Sequence, residues 1–188
     1  MSGSGRINIV ITEKTPCLLE PRKIQVTAWA DRSLSEIVPI LYLAIPRSQY
    51  AKAFNSVTFT VDGKLITVYS SGEIKLGCVL REEIALRLLE KLRVILDKAY
   101  EYYERHGMPD LRLLETRQRL NPLEIYKHLP KTNCKGCGEQ GCFPFAVKLA
   151  NGEKTLRECT QIQQPKYSDN KTYLEKMLQP IRLEIDML

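Results

Sequence analysis

The chain has 188 residues, 44% of them hydrophobic and 27% charged, with a formal net charge of +6 and six cysteines. This balance is that of a globular protein of one medium or two small domains and excludes a fibrous or wholly disordered chain. Apolar stretches such as Ile37–Ile45, broken by Pro39, are too short to cross a bilayer, and the Met-Ser-Gly-Ser-Gly start lacks the basic-then-apolar pattern of a secretory signal. No membrane is expected as a partner, and the expected location is cytoplasmic, where thiols stay reduced.

Arg6–Thr12 is β-rich, and Lys23–Ala30 alternates with Ile24, Val26 and Ala28 on one face. Ser33 with Glu36 three residues on forms a capping-box pattern that predicts a helical stretch towards Ala44. Pro39 must kink that helix or shift its start, and Pro46 ends it. Ser56–Val61 and Leu65–Ser70 are β-rich runs joined through Asp62-Gly63, a pair suited to a tight primed turn. Ser71-Gly72 then turns into a third run, Glu73–Cys78. A long helix is predicted from Arg81 to Arg105, with Ile84, Leu88, Leu92, Ile95, Ala99 and Tyr102 forming an apolar stripe at helical spacing.

An antiparallel sheet covered by packed helices buries these faces most simply, giving an α+β class. Met108–Arg119 reads as a polar, basic connection. The expected organisation is therefore an α+β partner-recognition or dimerisation domain over residues 1–118 and a small, mostly helical four-cysteine domain over 119–188. In the second, helices are predicted near Pro122–His128, Phe143–Ala150 and Asn170–Leu178.

Cys134, Cys137, Cys142 and Cys159 are spaced C-x2-C-x4-C-x16-C. Three ligands crowd one loop and the fourth returns from beyond a helix. Such an arrangement suits an iron–sulfur cluster, a compact body held at its corners by thiolates. Structural zinc usually takes two separated C-x2-4-C knuckles, and only one such pair occurs here. Disulfides do not suit a reduced compartment, and Cys134–Cys137 does not follow the βαβ pattern of a thioredoxin-like motif. Gly136, Gly138 and Gly141 let backbone N–H groups turn towards the sulfurs. Phe143 and Phe145 are placed to shield a cluster, and Lys131 and Lys135 bring positive charge near it.

The run Leu123-Glu124-Ile125-Tyr126-Lys127-His128-Leu129-Pro130-Lys131-Thr132-Asn133-Cys134 continues with Gly138, Cys142, Phe145-Ala146, Lys148-Leu149, Gly152 and Cys159. It resembles the 4Fe–4S domain of the corrinoid iron–sulfur protein large subunit, and a similar domain occurs in electron-transport complexes of the Rnf type. The resemblance spans about Leu120 to Pro180 and implies a 4Fe–4S cluster on Cys134, Cys137, Cys142 and Cys159. It also implies low-potential electron transfer, with a corrinoid protein or methyltransferase as the redox partner; in that family the electron goes to cobalt. The sequence departs from the pattern at Thr160, where proline is usual, and at Gln140-Gly141, where Pro-Thr is usual. The family continues into a barrel and a cobamide-binding domain without counterparts in these residues, so corrinoid binding is not carried over. The run Val57–Tyr69, the Ser71-Gly72 turn and the long helix are similar to half of a TATA-binding-protein-like saddle.

Cys17 and Cys78 could ligate a second metal but read as small apolar core residues. Trp29 is expected in a core or interface. His128 reads as a satisfied histidine and His106 as a helix C-terminal residue suited to the dipole. There is no phosphate-binding glycine loop, catalytic triad or acid/base pair. The sequence therefore points to an electron-transfer or accessory protein rather than an enzyme, with a homodimer among its expected assemblies. The alternative is a redox-sensing nucleic-acid-binding protein built on the saddle-like domain, with nucleic acid the less favoured partner.

Overall fold

A computed structural model describes residues 6–178; the Met-Ser-Gly-Ser-Gly start lies outside the described residues. The chain divides into two compact units, one ending at Pro109 and the next beginning at Asp110.

The first unit is a six-stranded antiparallel sheet with helices, ordered β1-β2-β6-β5-β4-β3. Its strands are β1 (Ile9–Pro16), β2 (Ile24–Ala30), β3 (Gln49–Ala51), β4 (Ser56–Val61), β5 (Lys64–Tyr69) and β6 (Glu73–Val79). Val26, Ala28, Val57, Phe59, Ile66, Val68, Ile74 and Leu76 alternate onto one face and are buried. β4 and β5 meet through Asp62 (φ 48) and Gly63 (φ 74), with Val61 paired to Lys64. Positive φ at both central residues is what a primed two-residue turn demands.

Helix α1 (Val38–Ala44) is buried along its whole length, as its uniformly apolar sequence requires. The structure corrects its predicted start. Pro39 sits in the first turn, where a missing N–H costs nothing, and Ile37 is the cap. The Ser33 hydroxyl instead donates to the Ser70 carbonyl oxygen at 3.0 Å, pinning the turn before α1 to β5. Ile45 is extended ahead of Pro46, which ends the helix. Helix α2 (Glu82–His106) buries Ala85, Leu88, Leu89, Leu92, Ile95, Leu96 and Ala99; Ile84 and Tyr102, at the ends of the expected stripe, are only half-buried.

Cys17 and Cys78 are not free core thiols; they form a disulfide with Cα atoms 5.7 Å apart. Ile24 pairs with both Pro16 and Val79, so β2 brings the end of β1 beside the end of β6. A register shift between Ile24 and Val26 leaves extra β6 residues, Cys78 among them, at this point, re-aiming its side chain as bulges do. Trp29 is not in the core: it is 42% exposed, on the sheet face opposite the buried one. That open face also carries Thr27, Thr58 and Thr67, the latter two hydrogen-bonded at 2.9 Å, with Lys75, Glu73 and Glu13.

The second unit contains α3 (Arg112–Arg119), α4 (Pro122–His128), α5 (Cys142–Ala150) and α6 (Ser168–Leu178). The segment expected as a plain connection is thus helical over Arg112–Arg119, with Leu114 and Arg117 buried. Arg117 reaches the Asn151 carbonyl oxygen at 3.4 Å. Among the described residues no helix is long and apolar enough to cross a membrane.

Candidate metal centre

All four clustered cysteines are free thiols, and local turn chemistry places each one. Asn121 caps α4, its side chain accepting the Leu123 N–H at 2.9 Å with Pro122 next in line. The helix stops at Leu129, before Pro130. In the loop that follows, Lys131 (φ 57), Asn133 (φ 48) and Lys135 (φ 59) take the left-handed conformation, as does Gly138 (φ 82). Alternating handedness of this kind turns successive N–H groups to one side, which forms a concavity suited to an anion.

Cys142 opens α5. Its N–H, which has no acceptor within the helix, donates to the Asn133 side-chain oxygen at 2.8 Å. Asn133 thus ties the loop bearing Cys134 and Cys137 to the helix bearing Cys142. The tie leaves no room for a side chain at Gly141, where a Cβ would stand 2.9 Å from that oxygen.

Cys159 is delivered from the other side. Thr155 and Glu158 form a capping box around the turn Leu156–Glu158, with the Thr155 N–H donating to Glu158 at 2.8 Å. Lys154 donates to the Glu158 carboxylate at 2.6 Å and to the Cys137 carbonyl oxygen at 3.3 Å, so the returning segment is fastened to the loop. Thr160 lies close by: a Cβ on Gly136 would stand 3.2 Å from its hydroxyl oxygen and 3.6 Å from the Cys134 sulfur. Cys137 and Cys142 both bear electrostatically on Cys159.

The environments of the four differ. Cys142 and Cys159 are buried, Cys137 is half-buried and Cys134 is exposed. The Gly136 N–H and then the Thr132 hydroxyl hold the Cys134 thiol below its ordinary range. Burial pushes the Cys159 thiol up, against the N–H groups of Ile162 and Gln161, while Cys137 and Cys142 add to the rise. N–H donors aimed at sulfur are the surroundings that thiolate ligands of a cluster require. Among the described residues, no group of three or more histidine, cysteine or carboxylate side chains is arranged to hold a single metal ion.

Phe145 lies in the unit's core, 1% exposed, beside Cys142 and Cys159. Phe143 does not: it is 42% exposed and meets Tyr126 edge-on at 5.6 Å. His128 stacks at 4.1 Å on Tyr173 and lies 3.6 Å from Glu124, a satisfied side chain rather than a ligand. Sequence reasoning missed Asn133 and Lys154 as residues that hold the site together. An asparagine directly before a candidate ligand cysteine, a residue type tolerant of positive φ, was the available signal for the first.

Residues 129–161 match the family model described as "Putative Fe-S cluster". Over 63 residues, 34% of this chain and 13% of the relative, the sequence is 40% identical to acetyl-CoA decarbonylase/synthase complex subunit gamma of Methanocaldococcus jannaschii. It is 39% identical over 61 residues, 32% of this chain and 13% of the relative, to subunit gamma 1 of the same complex in Methanosarcina thermophila. It is 49% identical over 43 residues, 23% of this chain and 10% of the relative, to the corrinoid/iron-sulfur protein large subunit of Moorella thermoacetica. The chain therefore spans only a small fraction of the length of these curated relatives. No solved structure matches it.

Proposed function

We propose, taking the iron–sulfur domain of residues 129–161 as the premise, that this protein carries one 4Fe–4S cluster on Cys134, Cys137, Cys142 and Cys159 and passes low-potential electrons to a protein partner. The observation that carries the reading is the graded exposure of four free thiols: two buried, one half-buried and one open to solvent. A site serving only as a structural brace has no use for an open side, whereas electron exchange with another protein needs one. When bound, a cubane supplies a one-electron couple. The chain's own residues do the rest: Asn133, Lys154 and the Thr155–Glu158 box hold the ligand-bearing segments together, and Phe145 packs the buried side.

The names of the relatives support a corrinoid protein or an acetyl-CoA decarbonylase/synthase assembly as the class of partner. The first unit then acts in partner recognition or dimerisation. The nucleic-acid alternative draws no support from the open sheet face, where Lys75 stands among Glu13 and Glu73. Phosphate binding needs an excess of positive charge, not a balance of this kind.

Anaerobic purification with iron and sulfide analysis and EPR of the dithionite-reduced protein tests the proposal. About four irons and four sulfides per chain, with a spin-half signal on reduction, is the expected result. Stoichiometric zinc, or no metal, overturns it.

A further inference from the structure

We infer that the exposed edge of the cysteine site is a docking surface for an acidic redox protein, with Lys131 and Lys135 as its charged rim and Tyr126 and Phe143 as its apolar platform. The inference rests on the electron-transfer reading above and names the chemistry of the partner.

Residues 131–136 are exposed without a break, and Cys134, the most open of the four thiols, lies at their centre. The lysines at either side differ from three paired lysines of this unit, while Lys166 and Lys176 share their unpaired state. Lys127 is neutralised by Glu124 at 2.7 Å, Lys148 by Glu139 at 2.8 Å and Lys154 by Glu158 at 2.6 Å. Lys131 and Lys135 make no ion pair among the described residues. Both also sit at positive φ, a conformation lysine rarely adopts, so the loop fixes where they emerge. Arg157, exposed two residues before Cys159, is likewise without a carboxylate among the described residues.

The apolar platform is continuous with this rim. The Lys131 ammonium stands 5.6 Å from the centre of the Tyr126 ring, and Tyr126 meets Phe143, whose neighbour Cys142 is a ligand. An aromatic centre within a charged rim is the usual anatomy of a transient protein interface. An oxidised cubane on four thiolates carries a net charge of about −2; Lys131, Lys135 and Arg157 outweigh it at the rim, and that excess steers a negatively charged partner. The patch is small and lacks the arginine row that would follow a phosphate backbone, which favours a protein over a nucleic acid. The exchange moves one electron between the partner and the cluster, and no bond forms or breaks.

The test uses the anaerobic holo-protein and, as probe, a reduced two-cubane ferredoxin of strongly negative charge, with transfer followed by stopped flow. The variant Lys131→Glu with Lys135→Glu is expected to keep its iron, sulfide and EPR signal while transfer slows about tenfold or more at low salt. The gap should close at about 0.5 M salt, where screening removes steering. If charge reversal blocks cluster assembly, the pair Lys131→Gln and Lys135→Gln replaces it, with a loss of about threefold expected. A low-salt rate within twofold of the parent, a loss that salt does not relieve, or lysines that retain a single-stranded oligonucleotide without altering the rate each overturns the inference. A parent protein without iron and sulfide overturns the electron-transfer reading itself, which separates the two failures.

Discussion

The two units solve the problem of holding a fold in opposite ways. The first buries a long series of aliphatic side chains, from Ile7 to Ala99, between one face of a six-stranded sheet and two helices. The second gathers ten residues into its core cluster, and two of these, Cys142 and Cys159, are ligand candidates. Removing water from apolar surface stabilises the first at roughly 25 cal/mol per Å². The second has a smaller core cluster, tied by side-chain hydrogen bonds of Asn133 and Lys154 and, in the cluster-bound form we propose, by ligation. The difference teaches where each unit is vulnerable: one to cavities, the other to loss of its metal.

The largest expected effect separates the units outright. Chelation of iron under anaerobic conditions should unfold the segment from Lys131 to Cys159 while the sheet survives, because metal-binding energy is folding energy in such a domain. Hydrogen exchange reads this directly. Amides of 131–161 should lose protection, and those of β4 and β5 should keep theirs. Full protection in both units after demetallation would break the comparison.

The next effect is confined to the first unit. Replacing Cys78 by serine opens a link across 61 residues of sequence and should cost about 2–4 kcal/mol of that unit's stability. The EPR signal of the reduced cluster should not change. Denaturant unfolding of parent and variant checks this, and a coincident midpoint would mean that the sheet does not depend on the link.

The smallest effect sharpens the contrast within the second unit. Asn133→Ala removes the acceptor for the Cys142 N–H, a loss of about 1 kcal/mol. Iron release to a chelator should then be several-fold faster, and Asn133→Asp, which keeps the acceptor, should restore much of the parent rate. Equal release rates in all three proteins would remove the positioning role.

The same contrast governs what was legible beforehand. The β4–β5 hairpin was readable because Asp62-Gly63 both specifies and closes it, and α2 because its apolar period runs through many turns. The start of α1 was misread because Ser33 and Glu36 imitate a capping box, whereas the Ser33 hydroxyl is committed to the Ser70 carbonyl, a contact made only once β5 is in place. The Cys17–Cys78 bond was invisible for a similar reason. It depends on the combined register of β1, β2 and β6, and no local signal encodes that. Helix α3 was hidden by its polar surface residues, although Leu114 and Arg117 anchor it. At the site the opposite held: spacing alone singled out four cysteines as candidate ligands, and all four are free thiols. The left-handed turns at Lys131 and Lys135 carried no sequence signal, since lysine does not favour them.

The open position of Cys134 has a further consequence for durability. The side we propose for a redox partner also admits dioxygen and peroxide, and thiolate oxidation follows exposure. Decay in air should therefore begin at this corner, while Cys142 and Cys159 stay buried within the unit's core. A protein built this way exchanges shelf life for conductance, and its working lifetime is set by how well its surroundings keep oxidants away.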